Sequence, residues 1–97
     1  MTLTVRLSAR ARSDLGEIWR YSAGEWGVPK ANDYIRSIDA AIRLVAENPG
    51  LARDAGAVRP GLLKFLAGSH MVFFRVHQRR LNVVRILHQR MDYARHI

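Results

Sequence analysis

The chain has no cysteine, which excludes a disulfide framework and a thiolate metal site and fits a reducing compartment. It has no apolar run long enough to cross a bilayer. Its opening residues, Met-Thr-Leu-Thr-Val-Arg-Leu, lack the apolar stretch of a signal peptide. A cytoplasmic protein without a membrane partner is expected. Three catalytic signatures are also missing: a Gly-rich phosphate loop between strand and helix, a nucleophile elbow around Ser8 or Ser69, and a His-Glu-x-x-His pair. The four histidines, His70, His77, His88 and His96, offer little to a metal. His88 and Asp92 are four apart, but they follow a strand, where helical ligand spacing has no basis. Neither a metal nor another cofactor is expected.

Negative charge is scarce, and unevenly so. Residues 1–54 carry eight basic and seven acidic side chains, a net +1, whereas residues 55–97 carry eight basic side chains against Asp92 alone, a net +7. Fourteen of the sixteen basic residues are Arg, the side chain that forks onto carboxylate or phosphate and stacks on rings. A one-sided Arg field points to an acidic or polyanionic partner; the plainer alternative is a solvated basic face. A chain of 97 residues makes a single domain, 1–97, large enough to bury a core without staples.

Leu3, Val5 and Leu7 alternate with polar residues, which predicts a half-buried strand. Ser8 is suited to cap a first helix. Ala11, Leu15, Ile18, Trp19, Ser22 and Trp26 form its apolar stripe, and Gly27 ends it. Val28-Pro29 opens a second helix with a stripe through Ala31, Tyr34, Ile35, Ile38, Ala41, Ile42 and Val45, closed by Asn48-Pro49-Gly50. Two amphipathic helices joined by so few residues form an antiparallel hairpin. Residues 48–61 show no periodicity and read as a loop carrying Arg53 and Arg59. Short strands follow at Leu62–Ala67, His70–His77 and Leu81–His88. The expected fold is α+β, in the order β-α-α-β-β-β, with the helical hairpin on one face of a mostly antiparallel four-stranded sheet.

Face parity bears on the last hairpin. With an odd turn, Gln78 to Arg80, the residues Val72, Phe74 and Val76 share a helix-facing side with Val84 and Ile86. Phe73, Arg75 and Arg85 then share the opposite, exposed side, where Phe73 is free to stack a base or a partner side chain. An even turn would set Arg85 among the apolar residues at high desolvation cost. Trp19, Trp26, Tyr34 and Phe74 are expected in the core. Metal-free RNA cleavage would need a general base, a general acid and cations for the developing phosphorane charge. His88, Arg75, Arg85, Arg90 and Tyr93 form such a set if the tail folds back over the sheet. The plainer reading has His88 ending a strand, Arg90 pairing with Asp92, and Tyr93 docking the tail.

Several segments together resemble a known family. They are Leu15-Gly16-Glu17-Ile18-Trp19 with Tyr21, Trp26-Gly27, Tyr34-Ile35 with Ile38, and Asn48-Pro49. Arg59-Pro60-Gly61-Leu62, Gly68-Ser69-His70, Phe74-Arg75-Val76 and the run Val84 to Asp92 complete the set. In order and spacing the chain resembles the ParE branch of the RelE/ParE superfamily, the toxins of type II toxin–antitoxin modules. The resemblance implies the fold derived above and neutralisation by a cognate antitoxin whose flexible acidic C-terminal segment wraps the toxin in a hetero-oligomer. Specific DNA binding is then the antitoxin's property rather than the toxin's. ParE-like toxins are associated with poisoning DNA gyrase, whereas RelE-like relatives cleave mRNA on the ribosome. The ribosome-dependent nucleases tend to carry a Lys/Arg cluster after the helices; this chain has only Arg53, Arg59 and Lys64 there, and its His88-x-Arg90-x-Asp92 string is the ParE-like ending. The expectation is a non-enzymatic gyrase toxin, with an mRNA interferase or an inactive antitoxin-binding homologue as alternatives. Arg53, Arg59, Phe73, Arg75, Arg85, His88, Arg90 and Asp92 are the expected contacts with target or antitoxin.

Overall fold

The structure is a computed structural model that describes residues 2–97. Strand β1 (Thr4–Leu7) leads into helices α1 (Ala9–Trp26) and α2 (Val28–Glu47). The short β2 (Arg53–Asp54) follows, then β3 (Leu63–Ala67), β4 (His70–His77), β5 (Arg80–His88) and a final helical turn, α3 (Tyr93–His96). The sheet order is β1-β5-β4-β3-β2, with β1 parallel to β5 and the remaining pairs antiparallel. The class is the expected one, with one strand more than the four anticipated. The extra strand lies inside the 48–61 segment, which also holds a 3-10 turn at Pro49–Leu51.

Local chemistry explains the helical hairpin. Ser8 caps α1, its Oγ accepting the Ala11 amide at 3.0 Å. Gly27, at φ +91°, closes α1 through its own N–H to the Ala23 carbonyl and turns directly into α2. The Trp19 indole donates to Asn32 Oδ1 at 2.8 Å and ties the two helices together. Ala11, Ile18, Ile38, Ile42 and Val45 meet Phe65, Val72, Phe74, Leu81, Val83 and Ile86 from the sheet in one buried cluster. Trp26, expected in this core, is 58 % exposed at the tip of the hairpin and packs edge-on against Tyr21.

The β4–β5 turn is even, not odd. Gln78 and Arg79 form a two-residue turn with positive φ at both positions, 49° and 62°, and His77 pairs with Arg80. This backbone matches the twist of a hairpin but usually selects Asn and Gly. An irregularity in the register then restores the segregation that the odd turn was invoked to provide. Phe74 pairs with Val83 and Phe73 with Arg85, leaving Val84 as the extra residue of a β-bulge. The helix-facing set is therefore Leu81, Val83 and Ile86, with Val84 turned to the other side. Val76, placed in the core by the odd turn, is 43 % exposed.

The bulge is stabilised by α1. β1 covers β5 only as far as Val83, and beyond that the edge of β5 is met by Ser8 and Asp14. Ser8 donates its N–H to the Val83 carbonyl (3.0 Å) and its hydroxyl to the Val84 carbonyl (2.8 Å). Asp14 accepts the Ile86 amide at 2.9 Å and a bidentate pair from Arg85 Nε and Nη2, both at 2.8 Å. The side chains of Arg85 and Asp14 keep only 11 % and 9 % exposure. Breaking a pair buried this deeply leaves an uncompensated guanidinium and costs about 3 kcal/mol or more. Asp14→Asn is accordingly expected to lower stability by about 3 kcal/mol in urea unfolding followed by circular dichroism. A loss below about 1 kcal/mol, the range of solvent-screened surface pairs, would show that the bulge does not depend on this carboxylate.

Candidate functional site

Two regions gather the residues singled out in the sequence. The first is the sheet face away from the helices. Phe73 is completely buried there with Ala55, Leu62 and Leu87, so its expected outward placement is overturned. The reason is the tail: residues after Asp92 turn back across this face. Tyr93 packs on Phe73 with ring centroids 4.8 Å apart, donates its hydroxyl to the Gln89 carbonyl at 2.7 Å, and together with Ile97 covers the cluster. Two arginines clamp the tail. Arg59 Nη2 donates to the Ile97 carbonyl and Arg85 Nη1 to the His96 carbonyl.

Arg75 and Arg85 were expected side by side on an open face. Arg75, half-buried, donates Nη1 to the Pro60 carbonyl at 2.7 Å and anchors the loop before β3. Arg85 is enclosed between Asp14 and the tail, and its hydrogen bonds to Asp14 hold its pKa above the ordinary value against the opposing effect of burial. Of the expected contact residues, Arg53 and Arg90 are exposed, and their side chains have no ionic or hydrogen-bond partner among the described residues. Asp92 begins α3, its carbonyl accepting the Arg95 amide at 3.2 Å. No Arg90–Asp92 ion pair forms among the described residues, so that anticipated pairing is replaced by this backbone cap.

The second region lies at the far end of the sheet. Gly68, at φ +61°, makes the β3–β4 turn directly against Tyr34; a Cβ there would stand 2.8 Å from the tyrosine ring. The Tyr34 hydroxyl accepts the Ser69 amide at 3.0 Å and shares a hydrogen bond of 2.6 Å with His70 Nδ1. His88 stands edge-on to His70 at 5.4 Å and accepts the Arg90 amide on Nδ1 at 3.2 Å. An open cleft of about 290 Å³ beside them is lined by Glu17, Tyr21, His70, His88 and Met91, with the Arg85–Asp14 pair also on its wall. Of the set proposed for RNA cleavage, His88 and Arg85 line this one cleft, but Arg85 is bonded to Asp14 and to the tail. Arg75 and Tyr93 are engaged in holding the loop and the tail.

Asp14 is the residue that sequence reading missed. The available signal was a carboxylate four residues before Ile18 and one before Leu15, on the apolar stripe itself. A charge on a core-facing position requires a buried partner.

A helical hairpin packed on a sheet with one parallel edge strand defines a small two-layer α+β fold. Solved structures with this architecture include a chain of a chromosomal ParDE toxin–antitoxin system from Pseudomonas aeruginosa (TM-score 0.78, 17 % identity, covering 90 % of this chain and 96 % of that one). A chain from the RelBE2 toxin–antitoxin complex of Mycobacterium tuberculosis also shares it (TM-score 0.65, 17 % identity, covering 92 % and 100 %). Sequence is more specific. Residues 5–93 match the family described as the ParE toxin of the type II toxin–antitoxin system parDE. The chain is 44 % identical over 92 residues to Toxin ParE1 of Caulobacter vibrioides, covering 95 % of each. It is also 44 % identical to Toxin ParE1 of Mycobacterium tuberculosis, covering 94 % of each, and 36 % identical to Toxin ParE of Escherichia coli, covering 89 % of this chain and 84 % of that one. The chain belongs to the ParE toxin family of type II toxin–antitoxin systems.

His70 keeps a pKa below its ordinary 6.5, chiefly because burial penalises the charged ring and next because His88 repels it, with Asp14 pulling weakly the other way. The native state then binds fewer protons than the unfolded chain below 6.5. This contribution to stability is full above that value and is lost as the pH falls toward the lower folded pKa. Unfolding in urea at about pH 7.5 and pH 5.5 should show the protein weaker at the acid value, with the difference reduced in His70→Gln. An undiminished difference in the variant would place the titration elsewhere. Phe73→Ala tests the covered face: truncating a fully buried ring should cost about 3–5 kcal/mol, whereas an open stacking residue would cost almost nothing.

Proposed function

We propose that this chain poisons DNA gyrase without chemistry of its own and is held inactive by a cognate antitoxin with an acidic C-terminal segment. The observation that carries the non-enzymatic reading is the engagement of Arg85. A nuclease built on the expected set needs this cation free for a phosphate, yet three of its hydrogen bonds go to Asp14 and the His96 carbonyl. Arg75 and Tyr93 are likewise occupied with carbonyls of the chain itself. Membership of the ParE family supports gyrase as the target.

Among the expected contact residues, Arg53 and Arg90 are the exposed cations whose side chains have no partner among the described residues, and these two are assigned to the antitoxin or target. Arg59, Phe73, Arg75 and Arg85 act as the scaffold beneath. An acidic segment folding onto such a surface gains from long-range attraction and loses affinity with salt. The net +7 of residues 55–97 is consistent with that partner.

Purified protein incubated with gyrase and supercoiled DNA should trap cleaved DNA or block supercoiling, and the effect should disappear when the antitoxin is added. If gyrase is indifferent while mRNA on translating ribosomes is cut, the interferase reading replaces this one. Arg90→Ala and Arg53→Ala should weaken antitoxin binding about 10-fold with no change in the urea midpoint.

A further inference from the structure

The tail covers only one end of the sheet face that lies away from the helices. Tyr93 and Ile97 pack over Phe73 and Leu87, while the end at the β4–β5 turn stays open. Strand alternation brings Thr4 and Arg6 of β1, Arg80 and Asn82 of β5, and Arg75 and His77 of β4 together there, because their sequence neighbours Val5, Leu81 and Phe74 face the helices. The register sets them in two rows: Thr4, Arg80 and His77, then Arg6, Asn82 and Arg75. Arg79 stands at the tip of the turn. None of the large apolar side chains exposed at the surface is among them.

Cations gather at this end without carboxylates. Six of the eight acidic side chains belong to α1 and α2. Of the other two, Asp54 accepts the Gly56 amide at 3.1 Å beside β2, and Asp92 opens α3 beyond the far end of β5. Arg79 and Arg80 are exposed, and their side chains have no ionic partner among the described residues. Arg6 has none either, but it stands at the margin, where it borders a trough that Asp39 and Glu47 also line. Arg75 adds its charge from a fixed position, with Nη1 on the Pro60 carbonyl. The turn is strained as well. Gln78 and Arg79 both adopt the left-handed conformation, at φ 49° and 62°, which Asn and Gly enter more readily. An exposed arginine kept where glycine would relieve the backbone points to use of its side chain.

We infer that this open end of the sheet binds the phosphate backbone of duplex DNA, through Arg79, Arg80 and Arg6 with Thr4 and Asn82 as neutral donors. A polar surface with cations alone lacks the apolar centre of a lasting protein interface. It matches the composition of surfaces that hold a phosphate backbone. A single strand is the poorer occupant, because single strands stack their bases on exposed aromatic rings and Phe73 lies beneath the tail. Phosphate contacts carry no base sequence, so the binding is non-specific. The choice of DNA over RNA rests on the gyrase reading above, which brings the toxin to an enzyme with DNA bound. The surface argument itself stands apart from that reading.

Fluorescence anisotropy with the full chain and a short labelled DNA duplex tests this. The duplex should bind in about the micromolar range at low salt whatever its sequence, with log K falling against log salt at a slope of roughly −3, as three phosphate contacts require. Arg79→Gly should reduce that slope by about one and weaken binding, yet raise the urea midpoint, because glycine relieves the turn. Arg80→Gln should reduce the slope by the same amount with the midpoint unchanged. No duplex binding at low salt, or binding indifferent to both variants, overturns the inference; if the toxin still traps gyrase-cleaved DNA in that case, the gyrase reading stands without it. If duplex DNA binds as described while gyrase is indifferent, the gyrase reading falls and the surface assignment holds. A single strand or an RNA duplex held more tightly than duplex DNA would overturn the choice of ligand. Antitoxin affinity lost in both variants with DNA binding intact would assign the face to an acidic protein and overturn it too.

Discussion

β5 is nine residues long and its parallel neighbour β1 only four, so half of a central strand would be left with an unpaired edge. The first turns of α1 complete it. Ser8 takes two carbonyls, Asp14 takes the Ile86 amide, and the same carboxylate neutralises Arg85. The geometry of the bulge, the docking angle of α1 and the position of Arg85 are thus one linked arrangement. A carboxylate and a guanidinium are tolerated this far inside because the carboxylate accepts three hydrogen bonds and each guanidinium nitrogen donates one; either alone would carry a desolvation penalty of several kcal/mol.

The tail follows from the same arrangement. Arg85 is held by Asp14 with one nitrogen left over, and that nitrogen reaches the His96 carbonyl. Arg59 does the same from the loop before β3. Between them they fold Tyr93 and Ile97 over Phe73, so the sheet is covered on both faces and the exposed Arg-and-aromatic surface expected there does not form. The positive charge of the second half divides into two groups. One arginine set binds the protein's own carbonyls and its one buried carboxylate, and another, including Arg53 and Arg90, remains at the surface for partners of opposite charge.

Much of the fold was legible in the residues. The helical stripes, Ser8 as a cap, Gly27 as a break and the Gly68-Ser69 turn are local signals that act within a few residues, and the structure keeps each of them. The requirement that Arg85 stay out of the apolar set was also sound. Its execution was not legible, because a bulge at Val84 achieves it with an even turn, and bulges depend on what lies beside the strand. Trp26 and Phe73 went astray for related reasons. Periodicity assigns a residue to a face but cannot say where the covering partner ends or whether a distant tail supplies one.

The sequence by itself determined the order of elements, the two-layer architecture and the concentration of arginine after residue 54, since these depend on local propensity, hydrophobic period and composition. It also carried enough of the family's residues, in order, to be matched to ParE toxins. Only the tertiary structure decided which arginines are available. Asp14 and Arg85 are separated by 71 positions, and nothing in the local chemistry of either announces the other. Whether a guanidinium is a binding group or a structural tie depends on which carboxylate or carbonyl the fold brings within hydrogen-bond reach.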